Sequence, residues 1–145
     1  MAKVKYKDDK MKKFDNDVDL IRGRPLMYIG LLGDAGANHC CREAINNHFD
    51  ECSKPVSVTP GNTVWIEFNE AEDCMISSDN GRGMDPDEIV EIFTTLNMGS
   101  NMDREHGSTA GENGVGSLCI NAFGRETVIK TFRALPGQEK VANTY

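Results

Sequence analysis

Long apolar runs are absent from this 145-residue sequence. No stretch approaches the ~20 consecutive apolar residues that a membrane-spanning helix needs. The charged first segment also lacks the apolar core that a secretory signal requires. We therefore expect a protein without membrane contact and with a cytoplasmic location. Charged residues make up 27% and hydrophobic residues 39% of the chain, which indicates a globular protein, by its length one domain, rather than a disordered one.

Closely spaced cysteine pairs are also missing. The five cysteines include no CxxC pair, which argues against a disulfide framework and against a zinc ribbon or finger. His48 and Cys52 lie one turn apart on a predicted helix, so metal ligation by Cys and His is an alternative. Packing of these side chains in the core is the favoured interpretation.

Charge is unevenly distributed along the chain. The net charge is -7, yet residues 1–24 hold 8 of the 16 basic side chains and only 5 of the 23 acidic ones. The acidic remainder would repel a nucleic-acid backbone, while the basic start could contact phosphates. A solvated, flexible terminus is the favoured interpretation of that start. We divide the chain into an N-terminal arm, residues 1–17, and a domain, residues 18–145.

Hydrophobic spacing predicts an α/β fold with antiparallel strands rather than a β-α-β Rossmann unit. A helix over about 38–52, capped by Asp34 or Asn38, is followed by a strand with Val64, Ile66 and Phe68 on its buried face. A glycine-rich loop of about 19 residues lies later in the chain, and loops of this length are usually functional or disordered. The expected elements are helix 38–52, strands 63–70 and 73–81, helix 84–97, loop 98–116, helix 117–124 and strand 125–134.

The first candidate motif is CREAINNHFDE, Cys41 to Glu51. Helical spacing places Glu43, Asn47, Asp50 and Glu51 on one face. A carboxylate can orient a water molecule, and an amide oxygen can bind a hard cation such as Mg²⁺. Taken alone, the pattern is more typical of a solvated helix face.

Two glycine-rich motifs follow. In DNGRGMD, Asp79 ends an apolar strand, and the following glycines allow close approach of the backbone to a flat ligand, although an Asn-Gly turn is the simpler interpretation. In GENGVG, Gly111 to Gly116, the loop opens a helix whose N–H groups could face phosphates. It is not a Walker A loop, because the GK[ST] ending is missing, nor a Rossmann fingerprint, because no strand precedes it.

In this order, the three motifs resemble the N, G1 and G2 boxes of the GHKL (Bergerat-fold) ATPases. These include gyrase B-type topoisomerases, MutL proteins, heat-shock chaperones and histidine kinases. A fourth segment, IRGRPLMYIG (Ile21 to Gly30), is similar to the one that precedes the N box in type IIA topoisomerases. The resemblance covers residues 18–133. It implies an α/β two-layer sandwich whose sheet is incomplete in this chain.

The resemblance also implies roles in ATP binding and hydrolysis. Glu43 would polarise the attacking water, and Asn47 would hold Mg²⁺ at the phosphates. Asp79 would accept a hydrogen bond from the adenine amino group, with Gly83 close to the base. Glu51 and Arg82 would pair at the pocket mouth, and Met84 and Ile92 would line the pocket. Gly99 and Ser100 would lie in a cover over ATP that spans 97–111, and Asp50 is a further binding position. The residues that would face the phosphates are Gly111, Asn113, Gly114, Val115 and Gly116.

Partners follow from the same resemblance. ATP would drive dimerisation through the N-terminal arm, with Tyr6 or Tyr28 as candidate contacts. DNA would be contacted only by the rest of a larger enzyme. A lysine for the γ-phosphate would come from a following domain. Two alternatives stay open: a MutL- or chaperone-like ATPase, and a nucleotide-binding or dimerisation module without catalysis.

Overall fold

The computed structural model describes residues 14–96, 115–133 and 141–144. Within these ranges the chain forms five helices and four strands, which pair as two antiparallel hairpins. This is the α/β fold with an incomplete sheet that the sequence predicts. The helices are α1 Asp17–Gly23, α2 Pro25–Tyr28, α3 Asp34–Cys52, α4 Ile89–Thr94 and α5 Gly116–Phe123, and the strands are β1 Val64–Asn69, β2 Cys74–Asp79, β3 Lys130–Arg133 and β4 Val141–Thr144.

The buried core is centred on α5. Leu118 and Cys119 are almost fully buried there and pack against Ile21 of α1 and Ile29 after α2. Arg22 Nε donates to the Ala122 carbonyl oxygen at 2.7 Å, which ties α1 to the end of α5. Because α3 and α4 also pack on α5, this short apolar helix fixes the position of every other helix near the candidate motifs.

Burial also controls the chemistry of the core cysteine on α5. Burial raises the pKa of the Cys119 thiol to about 12, and Cys40 and Glu43 nearby act in the same direction. The thiol therefore stays protonated and serves as an apolar packing group. No group of three or more potential Cys, His, Asp or Glu metal ligands occurs among the described residues.

Two details of the predicted helix and its cap are corrected. Helix α3 begins at Asp34 rather than near 38, and its N-cap is Gly33, which makes no side-chain cap. Gly33 has a φ of 66°, a left-handed conformation that glycine adopts without strain. Asp34 therefore lies in the first turn of α3 and does not cap the helix. Its negative charge interacts favourably there with the positive end of the helix dipole.

The first hairpin differs from expectation in its burial. Strand β1 pairs with β2 as predicted, but Ile66 and Phe68 are 41% and 65% exposed rather than buried. Helix α3 contacts Ser77 and Asp79 at one end of β2, which accounts for the exposure of Phe68 at the other end of the hairpin but not for that of Ile66. In the antiparallel register these residues oppose Ile66 and Val64, so the Phe68 end projects beyond the contacts that α3 makes.

Helix α4 is also shorter than predicted. It spans Ile89–Thr94, because the residues after Asp85 form a turn before the helix begins. The sequence did not predict β4, which pairs with β3. Throughout the described ranges, each helix is too short or too polar to cross a bilayer.

Candidate functional site

Helix α3 brings the first motif against the third. The Asn47 amide Nδ2 donates to Ser117 Oγ on α5 at 3.3 Å. A Cβ atom on Gly116 would lie 2.5 Å from Glu43 Oε2, so a side chain there would displace this carboxylate. Val115, the residue that precedes α5, packs against the core. Glu43 and Asn47 therefore lie at the start of the helix that follows the glycine-rich loop.

The same helix contacts the second motif through Glu51. Its Oε1 lies 3.3 Å from Arg82 Nε and accepts the Arg82 backbone N–H at 3.1 Å, so the ion pair that the resemblance implied is present. Its Oε2 accepts from Lys54 Nζ at 2.8 Å. Burial raises the pKa of Glu51, but hydrogen bonds from Lys54, Thr59 and Arg82 outweigh it, and the pKa lies below its usual value.

Replacement of Glu51 by glutamine tests this network. The depressed pKa means that ionised Glu51 stabilises the folded chain above its ordinary value of 4.5, and that this contribution is lost as pH falls below it. We expect Glu51→Gln to lower the free energy of unfolding by about 1–2 kcal/mol at pH 7. The unfolding free energy of the variant should also change less between pH 5 and pH 3.5.

Urea denaturation at pH 7, 5 and 3.5 measures this effect. Glu67→Gln is the control, because Glu67 lies exposed on β1 and should change stability by less than about 0.5 kcal/mol. Equal acid sensitivity of the Glu51 variant and the unchanged chain would show that the network contributes nothing.

Asp79 lies at the end of β2, beside the C-terminal half of α3. Its Oδ1 accepts the Gly81 N–H at 2.7 Å, and its Oδ2 is in short contact with His48 Nδ1. His48 Nε2 contacts Ser77 Oγ at 3.0 Å. Burial raises the pKa of Asp79, but the bonds from His48 and Gly81 and the charge of Lys54 outweigh it, so the pKa is lowered. Asp79 is therefore ionised at neutral pH.

Two buried threonines shape the loop after Asp79. Thr59 Oγ1 accepts the Arg82 N–H at 3.1 Å, and Thr131 Oγ1 on β3 accepts the Met84 N–H at 2.9 Å. Between them, Gly83 has a φ of 76°, and a Cβ there would lie 2.6 Å from the Phe132 carbonyl oxygen. Only glycine fits this position, and the loop backbone is fixed from both sides.

The described candidates line one broad cleft of about 2560 Å³. This volume exceeds that of a pocket for a single small ligand. The hydrogen bonds described above therefore locate the site more closely than the set of residues lining the cleft does. The cleft brings together Glu43, Asn47, Asp50, Glu51, Asp79, Arg82, Gly83, Met84, Ile92, Val115 and Gly116. The predictions for Gly99, Ser100, Gly111, Asn113 and Gly114, and for the cover over 97–111, lie outside the described residues.

Sequence reasoning missed several side chains that support the site. It treated His48 only as a possible metal ligand with Cys52, whereas His48 contacts Asp79 and Ser77. It also overlooked the buried Thr59 and Thr131. The sequence holds a weak signal for the contact of His48 with this strand. Ser77 and Asp79 alternate onto one strand face, and His48 lies in sequence between Asn47 and Glu51, two predicted site residues.

Helix α3 thus contacts both the DNGRGMD loop and the start of the helix that follows GENGVG. Comparison with curated proteins points to one branch of the family that these motifs resemble. The DNA gyrase B protein of Thermus thermophilus is 31% identical over 122 positions, covering 78% of this chain and 18% of the relative. The same protein from Chlamydia pneumoniae is 30% identical over 149 positions, covering 87% of this chain and 18% of the relative.

A third relative is the DNA gyrase B protein of Mycoplasma pneumoniae, 30% identical over 83% of this chain and 19% of its own length. No protein-family model matches the chain. The resemblance seen in the motifs is confirmed: the chain is gyrase B-like and matches DNA gyrase B proteins at 30–31% identity over 77–87% of its length. It spans about a fifth of the length of the relatives that it matches.

Proposed function

We propose that this chain binds ATP with Mg²⁺ and forms the ATPase part of a topoisomerase-like protein. The observation that carries the proposal is that α3 contacts both glycine-rich motifs at once. Glu43 and Asn47 meet the start of α5, and His48 and Glu51 meet the loop after β2. A base-binding end and a phosphate-binding end therefore lie along one helix.

Base recognition is assigned to Asp79. Its lowered pKa keeps it ionised, so it accepts hydrogen bonds and donates none. A carboxylate of this kind favours a purine with an exocyclic amino group, which donates, over one with an oxo group at that position. Adenine has that amino group at C6. Two of the roughly four lone-pair positions on the carboxylate are used by Gly81 and His48, which leaves acceptor capacity for a base.

Phosphate chemistry is assigned to the other end of α3. Asn47 would hold Mg²⁺ through its amide oxygen, because its Nδ2 is oriented by Ser117, and oxygen ligands suit this cation. The bound ion would neutralise charge on the phosphates. Glu43 lies one turn from Asn47 and would accept a proton from the attacking water. Phosphoryl transfer depends mostly on such positioning and electrostatics.

The role in a larger protein is part of the same proposal. In this proposal, ATP binding would favour a dimer through the N-terminal arm, of which residues 1–13 lie outside the described ranges. Other parts of that larger protein would bind DNA, since the residues after the arm carry excess negative charge. The similarity to DNA gyrase B proteins favours this role over a MutL- or chaperone-like one.

Titration calorimetry tests nucleotide binding directly. The non-hydrolysable analogue AMPPNP with Mg²⁺ is expected to bind the 145-residue chain with a 1:1 stoichiometry, and to bind at least about tenfold more weakly when EDTA removes the metal. GMPPNP, which has an oxo group where adenine has its amino group, is the matched control and should bind more weakly. No saturable heat at millimolar AMPPNP would contradict the proposal.

A further inference from the structure

Lys54 lies two residues after the end of α3, and its side chain is almost fully buried. Only 6% of that side chain is exposed, against 38% for Arg82, which lines the same cleft. The Lys54 Nζ donates to Glu51 Oε2 at 2.8 Å. Because transfer of a charged group out of water costs free energy unless the charge is paired, the ion pair with Glu51 holds Lys54 in this position.

Glu51 extends the contact from Lys54 to the loop after β2. Its other oxygen, Oε1, accepts the Arg82 backbone N–H at 3.1 Å. A Cβ atom on Gly81 would lie 2.5 Å from Glu51 Cγ and 2.7 Å from Asp79 Oδ1, so the Gly81 backbone is packed between these two side chains. The Gly81 N–H donates to the same Oδ1 at 2.7 Å. A continuous line of contacts therefore leads from Lys54 through Glu51 and Gly81 to Asp79.

The two carboxylate oxygens of Glu51 have different charged partners. Arg82 Nε lies 3.3 Å from Oε1, and Lys54 Nζ lies 2.8 Å from Oε2. A carboxylate that is paired on both oxygens cannot turn about its last torsion without breaking one charge-assisted hydrogen bond. Lys54 therefore fixes the orientation in which Oε1 accepts the Arg82 N–H.

We propose that Lys54 is a positioning residue for base recognition, because it holds Glu51 in the orientation that fixes Gly81 and Arg82 next to Asp79. This inference rests on the proposed ATP site and adds to it a residue outside the three motifs. Without the Lys54 charge, Glu51 can turn, and the loop that donates to Asp79 takes up a wider range of positions. A base amino group needs the carboxylate in one place, so the preference for adenine is the property that falls.

The test compares ADP with inosine diphosphate, which has an oxo group where adenine has its amino group. The two ligands carry the same phosphates, so the ratio of their dissociation constants isolates the base contact. In the unchanged 145-residue chain, calorimetry with Mg²⁺ at pH 7.5 should show ADP binding more tightly by about tenfold. Lys54→Met keeps the apolar stem of the side chain and removes the ammonium group, and it should reduce this preference to about threefold or less.

Two further variants show whether the charge acts through Glu51. Lys54→Arg keeps a cation that can pair with the carboxylate, and its preference should stay within about twofold of that of the unchanged chain. Glu51→Gln should reduce the preference as much as Lys54→Met does. The double variant should lower it by no more than about a further twofold, because both substitutions break the same link.

Arg42→Met is the matched control. It removes a cation from the exposed face of α3, and Arg42 does not line the cleft. Its preference for ADP should equal that of the unchanged chain. Thermal unfolding of every variant separates a lost contact from a lost fold, because a lysine that only stabilises the chain would lower the unfolding temperature and leave the preference unchanged.

If Lys54→Met does not fold, Lys54→Gln replaces it, since glutamine is neutral, polar and one atom shorter, and it should show the same fall in preference. An unchanged preference in the folded neutral variant would overturn the role of Lys54 alone. So would an equal loss in Lys54→Arg, which keeps the charge. Failure of the unchanged chain to bind either nucleotide would overturn the proposed function as well.

Discussion

Asp79→Asn is expected to lose nucleotide binding by roughly 30- to 150-fold, which corresponds to about 2–3 kcal/mol. The variant replaces an acceptor by an amide that presents donors, and it removes the charge that both His48 and the base amino group would contact. The amide oxygen of the variant can still accept the Gly81 N–H, so the loop after β2 keeps this bond. The dissociation constant for AMPPNP with Mg²⁺ measures the effect.

Asp73→Asn provides the matched control for this substitution. Asp73 lies in the turn of the same hairpin, is largely exposed and pairs only with the exposed Arg125 at 3.3 Å among the described contacts. Its φ of 52° suits asparagine at least as well as aspartate. The control should therefore bind the analogue as the unchanged chain does. Thermal unfolding of both variants separates a lost contact from a lost fold, and unchanged affinity in a folded Asp79→Asn would refute the assignment of the base site.

Glu43→Gln is expected to give the opposite pattern, with binding retained and turnover lost. A glutamine preserves the shape beside Gly116, where a Cβ would lie only 2.5 Å from the Glu43 carboxylate, but it cannot accept a proton from water. General-base catalysis typically contributes 10²- to 10⁴-fold, so phosphate release at saturating MgATP should fall by at least about 100-fold. The affinity for AMPPNP should change by less than about threefold.

Hydrolysis and binding must be measured on the same preparation of this variant. Glu67→Gln is the control, since Glu67 is exposed on β1 and does not line the cleft. Phosphate release by Glu43→Gln at the rate of the unchanged chain would show that another group activates water. Tight nucleotide binding with no turnover in the unchanged chain would favour the alternative of a binding or dimerisation module.

The sequence was most informative where chemistry and local spacing coincide. Helical periodicity placed Glu43, Asn47 and Glu51 on one face, and the structure has them along one side of α3 within the cleft. The start of α5 at Gly116 lies only one residue before the predicted start at Ser117, because the glycine-rich run ends where an apolar helical segment begins. Such features depend on residues close together in the chain.

Burial of the first hairpin was predicted wrongly for a reason that local pattern cannot reveal. Alternation in β1 shows which residues share a face, but not how far a partner helix extends along that face. Helix α3 reaches the Asp79 end of the hairpin and leaves Phe68 exposed. The same limit hid the contact between His48 and Asp79, which are 31 residues apart in sequence.

The sequence by itself determined the residue types of the site and their order: an acidic and amide helix face, an aspartate at a strand end and a glycine-rich helix start. Only the tertiary structure decided which of these groups touch. Contact between Asn47 and Ser117 spans 70 residues, and contact between Met84 and Thr131 spans 47. Both depend on the packing of α5 and β3 against the rest of the fold. Packing fixes distances between elements, whereas sequence periodicity fixes only directions within one element.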